Sequence, residues 1–376
     1  MIRSLWTRSL WTRSIWTGGT LARYIFWRFA RMIIFAFAGV FVLIYLIDLV
    51  ELLRRAGDVQ GGSPTFLAWL SLLRVPAVAE QILPFAVLFG AMMAFLSLTR
   101  RLELVVARAA GVSVWQFLTP PVLVALILGV ISVTLYNPMS AAFKARADTI
   151  ETQLFGNAAP AVANTSLWIR QKSIDGQAIV RAERSSDQGS TLGAVSAYVY
   201  DKDGRFLERV EAASARLRLG YWEMQTVRVV AMGEEPRVNE TYLLATNLTP
   251  EQVTQSFAAP DTVPFWQLAR IRDQTEKAGL DATGYRLRYQ TLLARPLLFV
   301  AMVLIAASFS LRFFRTGGVA KMVSGGVVAG FLLYVVTKLI ADLGSAGLVS
   351  AAVAAWFPAV AGCMVSMLVL LNQEDG

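Results

Sequence analysis

The residues best placed to do chemistry lie in 99–117, TRRLELVVARAAGVSVWQF, where Arg100, Arg101 and Arg108 stand against a single acid, Glu103. Arginines this close to long apolar segments mark the cytoplasmic face of a membrane protein. Leu102, Val105, Val106 and Ala109 recur at helical spacing, which predicts a short helix in or just below the membrane interface. Its other side carries Glu103, Ala107 and Ala110 and ends at Gly111, a small-residue face with one acid at its rim. Such a face allows close approach by a second protein. A basic loop that only fixes topology is the plainer reading. The short helix, small face and lone acid together favour a coupling helix that plugs into a cytoplasmic partner.

Other chemistry is narrowed by what the chain lacks. There is no histidine, so histidine zinc sites, Ser-His-Asp triads and histidine proton relays are excluded. The dipeptide Gly-Lys never occurs, which removes the phosphate-binding loop of an ATPase. The single cysteine, Cys363, sits in an apolar run and reads as packing. No cofactor or metal site is expected. The acids within or at the edges of apolar segments are Asp48, Glu51, Glu80 and Asp342. An ionisable group inside a membrane is a functional candidate. All four fall near predicted outer ends, where simple solvation accounts for them equally well.

The elements that must position these groups follow from composition. The 376 residues are 56% hydrophobic, with a mean hydropathy of +0.53. That describes a polytopic membrane protein with a smaller polar portion. Of the net charge of +9, residues 139–263 hold 13 basic and 15 acidic groups, a net of −2, so the remainder carries +11. A basic remainder flanking apolar spans suits anionic lipid or phosphate and argues against nucleic acid.

In chain order, Ser4 to Gly18 holds a five-residue repeat, SLWTR-SLWTR-SIWTG, that fits neither helix nor strand and reads as a cytoplasmic tail over residues 1–20. Six apolar segments follow, near residues 24–50, 75–99, 114–135, 296–311, 319–339 and 349–371. Arg23, Arg28 and Arg31 at the start of the first are expected to snorkel towards the cytoplasm. Some charge-free cores fall short of the roughly 20 residues a span needs, so their helices are expected to continue as polar, tilted extensions. Arg312, Arg315 and Lys321 place the fourth-to-fifth link inside, and both termini with it.

The texture changes over 139–263. LWIR (167–170), AIVRAER (178–184), AVSAYVYD (194–201), RFLERVEA (205–212), ARLRL (215–219) and MQTVRVVA (224–231) read as short strands, with a hairpin turn at Asp203-Gly204. An all-β domain inserted between the third and fourth spans lies outside the membrane, with a sandwich or jellyroll as the natural guess. Stretches 265–278 and 282–295 read as amphipathic helices near the interface. The expected architecture is therefore an α-helical polytopic protein with six transmembrane helices and an inserted all-β, jellyroll-like domain. Residues 21–138 form spans one to three with the coupling helix near 100–111, 139–263 the β domain, 264–295 interfacial helices, and 296–376 spans four to six.

The element order, together with LVELLRRAG (49–57), LRVPAVAEQILPFAVLFGAM (73–92), RRLELVVARAAGVS (100–113) and SLWIR (166–170), resembles the lipopolysaccharide export permease family LptF/LptG. The resemblance covers the chain from about Leu21, and the SLWIR and ELLRRAG segments look closer to LptG. The Trp-Thr-Arg repeat has no family counterpart, Asp48 stands where a basic residue is expected, and TKLIAD (337–342) is atypical.

The resemblance implies an ABC transporter membrane subunit of the bacterial inner membrane, multi-pass, with a periplasmic β-jellyroll domain and both termini cytoplasmic. It would pair with an LptF-like sister permease over an LptB-like ATPase dimer. Lipopolysaccharide would be extracted from the outer leaflet and passed to an LptC-like and LptA-like periplasmic bridge. In that frame Glu103, Leu104, Arg108, Ala110 and Gly111 would couple to the ATPase, with Glu103 ion-paired to a base in its groove. Arg54, Arg55, Arg74, Lys144 and Arg146 would hold the lipid's phosphates. For Arg54 and Arg55 the competing account is neutralisation by Glu51, three and four residues away. The alternation of Val195, Ala197 and Val199 with Ser196, Tyr198 and Tyr200 fits either an acyl-accepting interior or an ordinary core. Rival functions are a membrane enzyme acting on a lipid-linked sugar, which would want clustered outer acids, and an envelope-assembly scaffold.

Overall fold

The computed structural model describes residues 19–56, 63–155, 167–173, 176–186, 190–201, 203–231, 233–246, 259–277, 282–314 and 318–374. The Trp-Thr-Arg repeat, Arg315 and Ser166 lie outside them. The helices are α1 (Gly19–Ala56), α2 (Pro64–Arg100), α3 (Glu103–Ala109), α4 (Val114–Ile131), a π-helical turn (Ser132–Tyr136), α5 (Asn137–Phe155), α6 (Phe265–Lys277), α7 (Thr283–Phe314), α8 (Val319–Ser345) and α9 (Ala351–Glu374). The strands are β1 (Leu167–Ser173), β2 (Gly176–Ser186), β3 (Thr191–Tyr200), β4 (Phe206–Arg218), β5 (Tyr221–Ala231) and β6 (Arg237–Ala245). Two compact units result: Met1–Lys144 with Gln290–Gly376, and Ala145–Tyr289.

Six helices are long and apolar enough to cross a membrane, over Gly19–Arg55, Pro64–Arg100, Val114–Glu151, Thr283–Leu311, Val319–Ser345 and Ala351–Gln373. Several outrun their charge-free cores: α1 has 38 residues and α2 has 37, on the order of 55 Å at 1.5 Å per residue. Residues 139–155 continue the third span as helix. The interfacial helix read over 282–295 is not separate, because α7 runs unbroken through Pro296. A proline inside a helix removes one hydrogen bond and crowds the preceding turn. Here the ring lies on Gly129 of α4, where an added Cβ would come within 2.4 Å of Pro296 Cα.

The membrane unit packs around α2. Phe29 and Phe95 meet edge to face at 4.8 Å, and Ile25, Leu98, Phe117 and Phe299 are buried in the same cluster. Ser63 caps α2 by accepting from the Phe66 amide, with Pro64 in the first turn, where its missing N–H costs nothing. In contrast, α1 turns Val42, Leu43, Leu46, Ile47 and Val50 outwards. In hydrocarbon such a face needs no further cover.

In the second unit the six described strands pair antiparallel in the order β1-β2-β3-β4-β5-β6. One face is buried in rows that cross the ladder: Ala182, Val195, Ala212 and Val227 in one, Val180, Ala197, Val210 and Val229 in the next. Val195 and Ala197 thus sit in a shared core with Trp222 and Met224. The sheet is also creased. Ladder pairs skip Glu183, Ala194, Ala213, Thr226 and Glu240, which form one row across the sheet. At this row the buried residues step by three, from Leu192 to Val195, Ala212 to Ala215 and Met224 to Val227. Ala194 and Thr226 absorb the slip with positive φ of 52° and 54°. This crease explains why 205–212 and 215–219 read as two strands: they are the two halves of β4, out of phase with each other.

The sheet curls back on itself. In a flat sheet β1 and β5 would lie about 19 Å apart, four strand spacings. Yet Trp222 Nε1 of β5 donates to Gln171 Oε1 of β1 at 3.1 Å, and the Thr246 hydroxyl donates to the same oxygen at 2.7 Å. Trp222 is fully buried and Gln171 is 1% exposed, so the apolar face is covered by the sheet's own edges. Replacing Gln171 by Leu would orphan two buried donors, each costing about 1–3 kcal/mol. Urea unfolding followed by Trp222 fluorescence, with the other nine tryptophans replaced by phenylalanine, should show a lowered midpoint for Gln171→Leu. An unchanged midpoint would mean the edges are not closed through this residue.

Candidate functional site

The 99–117 stretch folds as a built turn. The α2 helix ends at Arg101, and Leu102 reverses the chain with φ 57°. A leucine in the left-handed region costs about 1–2 kcal/mol. The short α3 then closes with Gly111 at φ 85°, where the Val112 amide donates to Ala107 and the Gly111 amide to Arg108. Those two bonds form a Schellman cap, which needs glycine at the left-handed position. Ser113 and Gln116 form a capping box that starts α4.

This geometry inverts the face read from sequence. Leu104 and Ala107 point into the membrane unit, with Leu104 joining the buried cluster. Leu102, Val105, Val106 and Ala109 are the exposed set, with Val106 65% exposed. Both sets obey helical spacing, and the reversal at Leu102 turns the smaller one inwards. Arg108, Ala110 and Gly111 are exposed beside Val106 and Ala109 in sequence. Leu104, in contrast, is unavailable to a partner.

Glu103 also departs from expectation. Its carboxylate receives Arg28 Nη1 at 3.1 Å and the Tyr24 hydroxyl at 3.0 Å, while Arg28 Nη2 donates to Ser97 at 2.6 Å. The Arg28 side chain is 7% exposed, so it does not snorkel. The acid at the rim of α3 is therefore held by its own chain. Through it α1, α2 and α3 share one charge-assisted network, in which each bond to an ionised group contributes about 1.5–3 kcal/mol.

At a second buried charge site Glu80, named as a candidate from sequence, has a partner that the sequence did not show. Glu80 of α2 and Arg295 of α7 pair at 2.7 Å with side chains 2% and 8% exposed. Asn137 Nδ2 donates to Glu80 at 2.9 Å, and the Ser140 hydroxyl donates to its other oxygen. Arg295 Nη1 reaches Ser132 at 3.4 Å, and Tyr136 donates to the Pro76 carbonyl at 3.0 Å. Solvation at an outer end is thus the wrong account of Glu80. The π-helical turn at Ser132–Tyr136 sits within this network, as such turns often do at functional sites. The available signal was one acid and one arginine, each inside or at the edge of an apolar run and each shortly before a proline.

The five basic residues read as a lipid-phosphate rim are not brought into one cluster. Arg54 meets both oxygens of Glu51 at 2.9–3.0 Å, and Arg55 adds a third bond at 2.8 Å. Arg74 approaches Asp48 at 3.6 Å. One acid thus holds both arginines, as the neutralisation account expects. Lys144 and Arg146 are two residues apart on α5 and so do not share a helix face.

Breaking the Glu80–Arg295 pair from one side leaves a buried charge, at about 3–5 kcal/mol, whereas replacing both by apolar groups is near neutral. Thermal unfolding of detergent-purified protein should drop sharply for Glu80→Leu and recover in the Glu80→Leu/Arg295→Leu double variant. A double variant as poor as the sum of the singles would contradict the pairing.

The model of the family described as "Lipopolysaccharide export system permease LptF/LptG" matches residues 23–372. The chain is 25% identical over 370 residues to the lipopolysaccharide export system permease protein LptG of Escherichia coli (strain K12), covering 95% of this chain and 99% of that protein. It is 24% identical over 369 residues to the protein of the same name from Haemophilus influenzae (strain ATCC 51907 / DSM 11121 / KW20 / Rd), covering 94% and 96%. The match runs from the first arginine of α1 almost to the end of α9, so the chain belongs to the lipopolysaccharide export permease family LptF/LptG.

Proposed function

We propose that this chain is a membrane-spanning permease subunit of an ABC transporter that extracts lipopolysaccharide from the outer leaflet of the bacterial inner membrane, with ATP hydrolysed by a separate, LptB-like subunit. The family supports the transport role. The observation that carries the coupling is the exposed apolar face of α3: Leu102, Val105 and Val106 stand in solvent on a short helix fixed by a strained residue, a Schellman cap and a capping box. Strain of this kind is retained where function needs it.

In this reading α3 is cytoplasmic, flanked by Arg100, Arg101 and Arg108, and both termini lie on the same side. Leu102, Val105, Val106 and Ala109 fill the ATPase groove, with Arg108, Ala110 and Gly111 at its edge. Glu103 acts from behind: its link to Arg28 passes movement of α3 to α1. The curled sheet is the periplasmic, jellyroll-like domain and hands lipid to an LptC-like partner and an LptA-like bridge. The outward apolar face of α1 meets lipid and an LptF-like sister subunit. Arg54, Arg55, Arg74, Lys144 and Arg146 attract the lipid's phosphates as a loose basic fringe. Arg54 supports this, since its side chain is 75% exposed even with Glu51 bound.

The test is Val106→Glu in the assembly co-expressed with the ATPase and sister subunits. A charge in the centre of a desolvated apolar contact costs about 2–4 kcal/mol. The ATPase subunit should be lost from affinity purification, or its activity in the complex should fall at least about tenfold. Wild-type recovery and hydrolysis would contradict the assigned face.

A further inference from the structure

Where the first turns of α1 meet the last turns of α2, the structure has an open cleft of about 520 Å³ lined by Tyr24, Arg28, Arg31, Met32, Phe35, Ser97 and Arg101. Tyr24, Arg28, Arg31 and Phe35 recur every three or four positions and so form one face of α1, with Met32 one turn after Arg28, while Ser97 and the C-cap residue Arg101 are one turn apart at the end of α2. The cleft is graded along its length. Arg28 and Arg31 lie towards the α3 end, and Phe35, 71% exposed, lies about 6 Å deeper than Arg31 along α1.

Its charge is unbalanced. Arg28 is neutralised by Glu103. Arg31 and Arg101 are both exposed, and among the described residues neither has an acidic partner; Arg31 only donates to the Trp27 carbonyl. Two guanidinium groups therefore converge on a cleft whose deeper wall is apolar. Guanidinium groups match phosphate oxygens in paired hydrogen bonds. Trp27 and Tyr24, 58% and 41% exposed, are the aromatic residues expected at headgroup level.

We propose that this cleft binds the phosphate group of an anionic lipid, with Arg31 and Arg101 on the phosphate and Met32 and Phe35 against the glycerol and upper acyl chain. The inference rests on the cytoplasmic placement of α3, which makes the lipid one of the cytoplasmic leaflet, distinct from the cargo drawn from the outer leaflet. Occupancy would brace Arg28, and through it Glu103 and the coupling helix.

The co-expressed complex is reconstituted in nanodiscs carrying a photoactivatable phosphatidylglycerol or, in parallel, a phosphatidylcholine probe. Phosphatidylglycerol should label the peptide holding Met32 and Phe35 in preference to phosphatidylcholine. Arg31→Gln and Arg101→Gln should each lower that labelling about fivefold, from about 1 kcal/mol per basic residue at an anionic surface. The Arg31→Lys/Arg101→Lys variant should keep most of it. Equal labelling by both probes, or labelling unchanged by the glutamine variants, would overturn the site. Displacement by millimolar inorganic phosphate would overturn the lipid in favour of a soluble phosphate, and adducts to a neighbouring subunit alone would make the cleft a subunit contact. Labelling of Ser113→Cys, in a Cys363→Ala background, by an impermeant maleimide from outside intact cells would overturn the leaflet while leaving the labelling result standing.

Discussion

A charge inside hydrocarbon must find a partner inside the protein, and the membrane unit is arranged around that constraint. Glu80 and Arg295 meet it by pairing across α2 and α7, with Asn137 and Ser140 of α5 supplying the remaining donors to the carboxylate. Three separate spans are thereby fixed in register by one carboxylate. Apolar packing alone is a weak guide to register in a membrane, because lipid tails solvate leucine as well as other leucines do. Next to Arg295, Pro296 of α7 lies directly on Gly129 of α4, so the two backbones approach closely beside the pair.

The same helix carries the second charge network. Ser97, about 26 Å from Glu80 along α2, shares Arg28 with Glu103. One helix thus connects the buried pair to the short helix that presents Val105 and Val106. Rigid-body movement of α3 cannot occur without either carrying α1 with it or breaking the part-buried Arg28–Glu103 pair. That gives a physical route from the exposed face of α3 to α1 and α2.

Much of this was legible in the residues. Uninterrupted apolar runs set the six spans, and alternation marked the strands as far as Ala231 with the hairpin at Asp203-Gly204, but not β6 (Arg237–Ala245). What was not legible depended on distant partners or on a single backbone angle. The facing of α3 turned on Leu102 taking a left-handed conformation, which nothing in its side chain demands. The break between residues 212 and 215 was visible but read as a strand end, because a crease and a terminus disturb period-two alternation alike. Glu80 and Arg295 are far apart in sequence, and only the packing of α2 on α7 shows that neither is solvated. The family resemblance, carried by the segments around residues 49–57, 73–92 and 100–113, reached the family directly.

As proposed above, this chain moves lipopolysaccharide when a partner hydrolyses ATP. Proteoliposomes containing lipopolysaccharide and the co-expressed complex, incubated with a soluble periplasmic acceptor carrying a photo-crosslinker, test it directly. Lipopolysaccharide adducts on the acceptor should accumulate with ATP, and should be absent without nucleotide or when this chain is omitted. Adducts that form equally without ATP, or with this chain missing, would contradict the account.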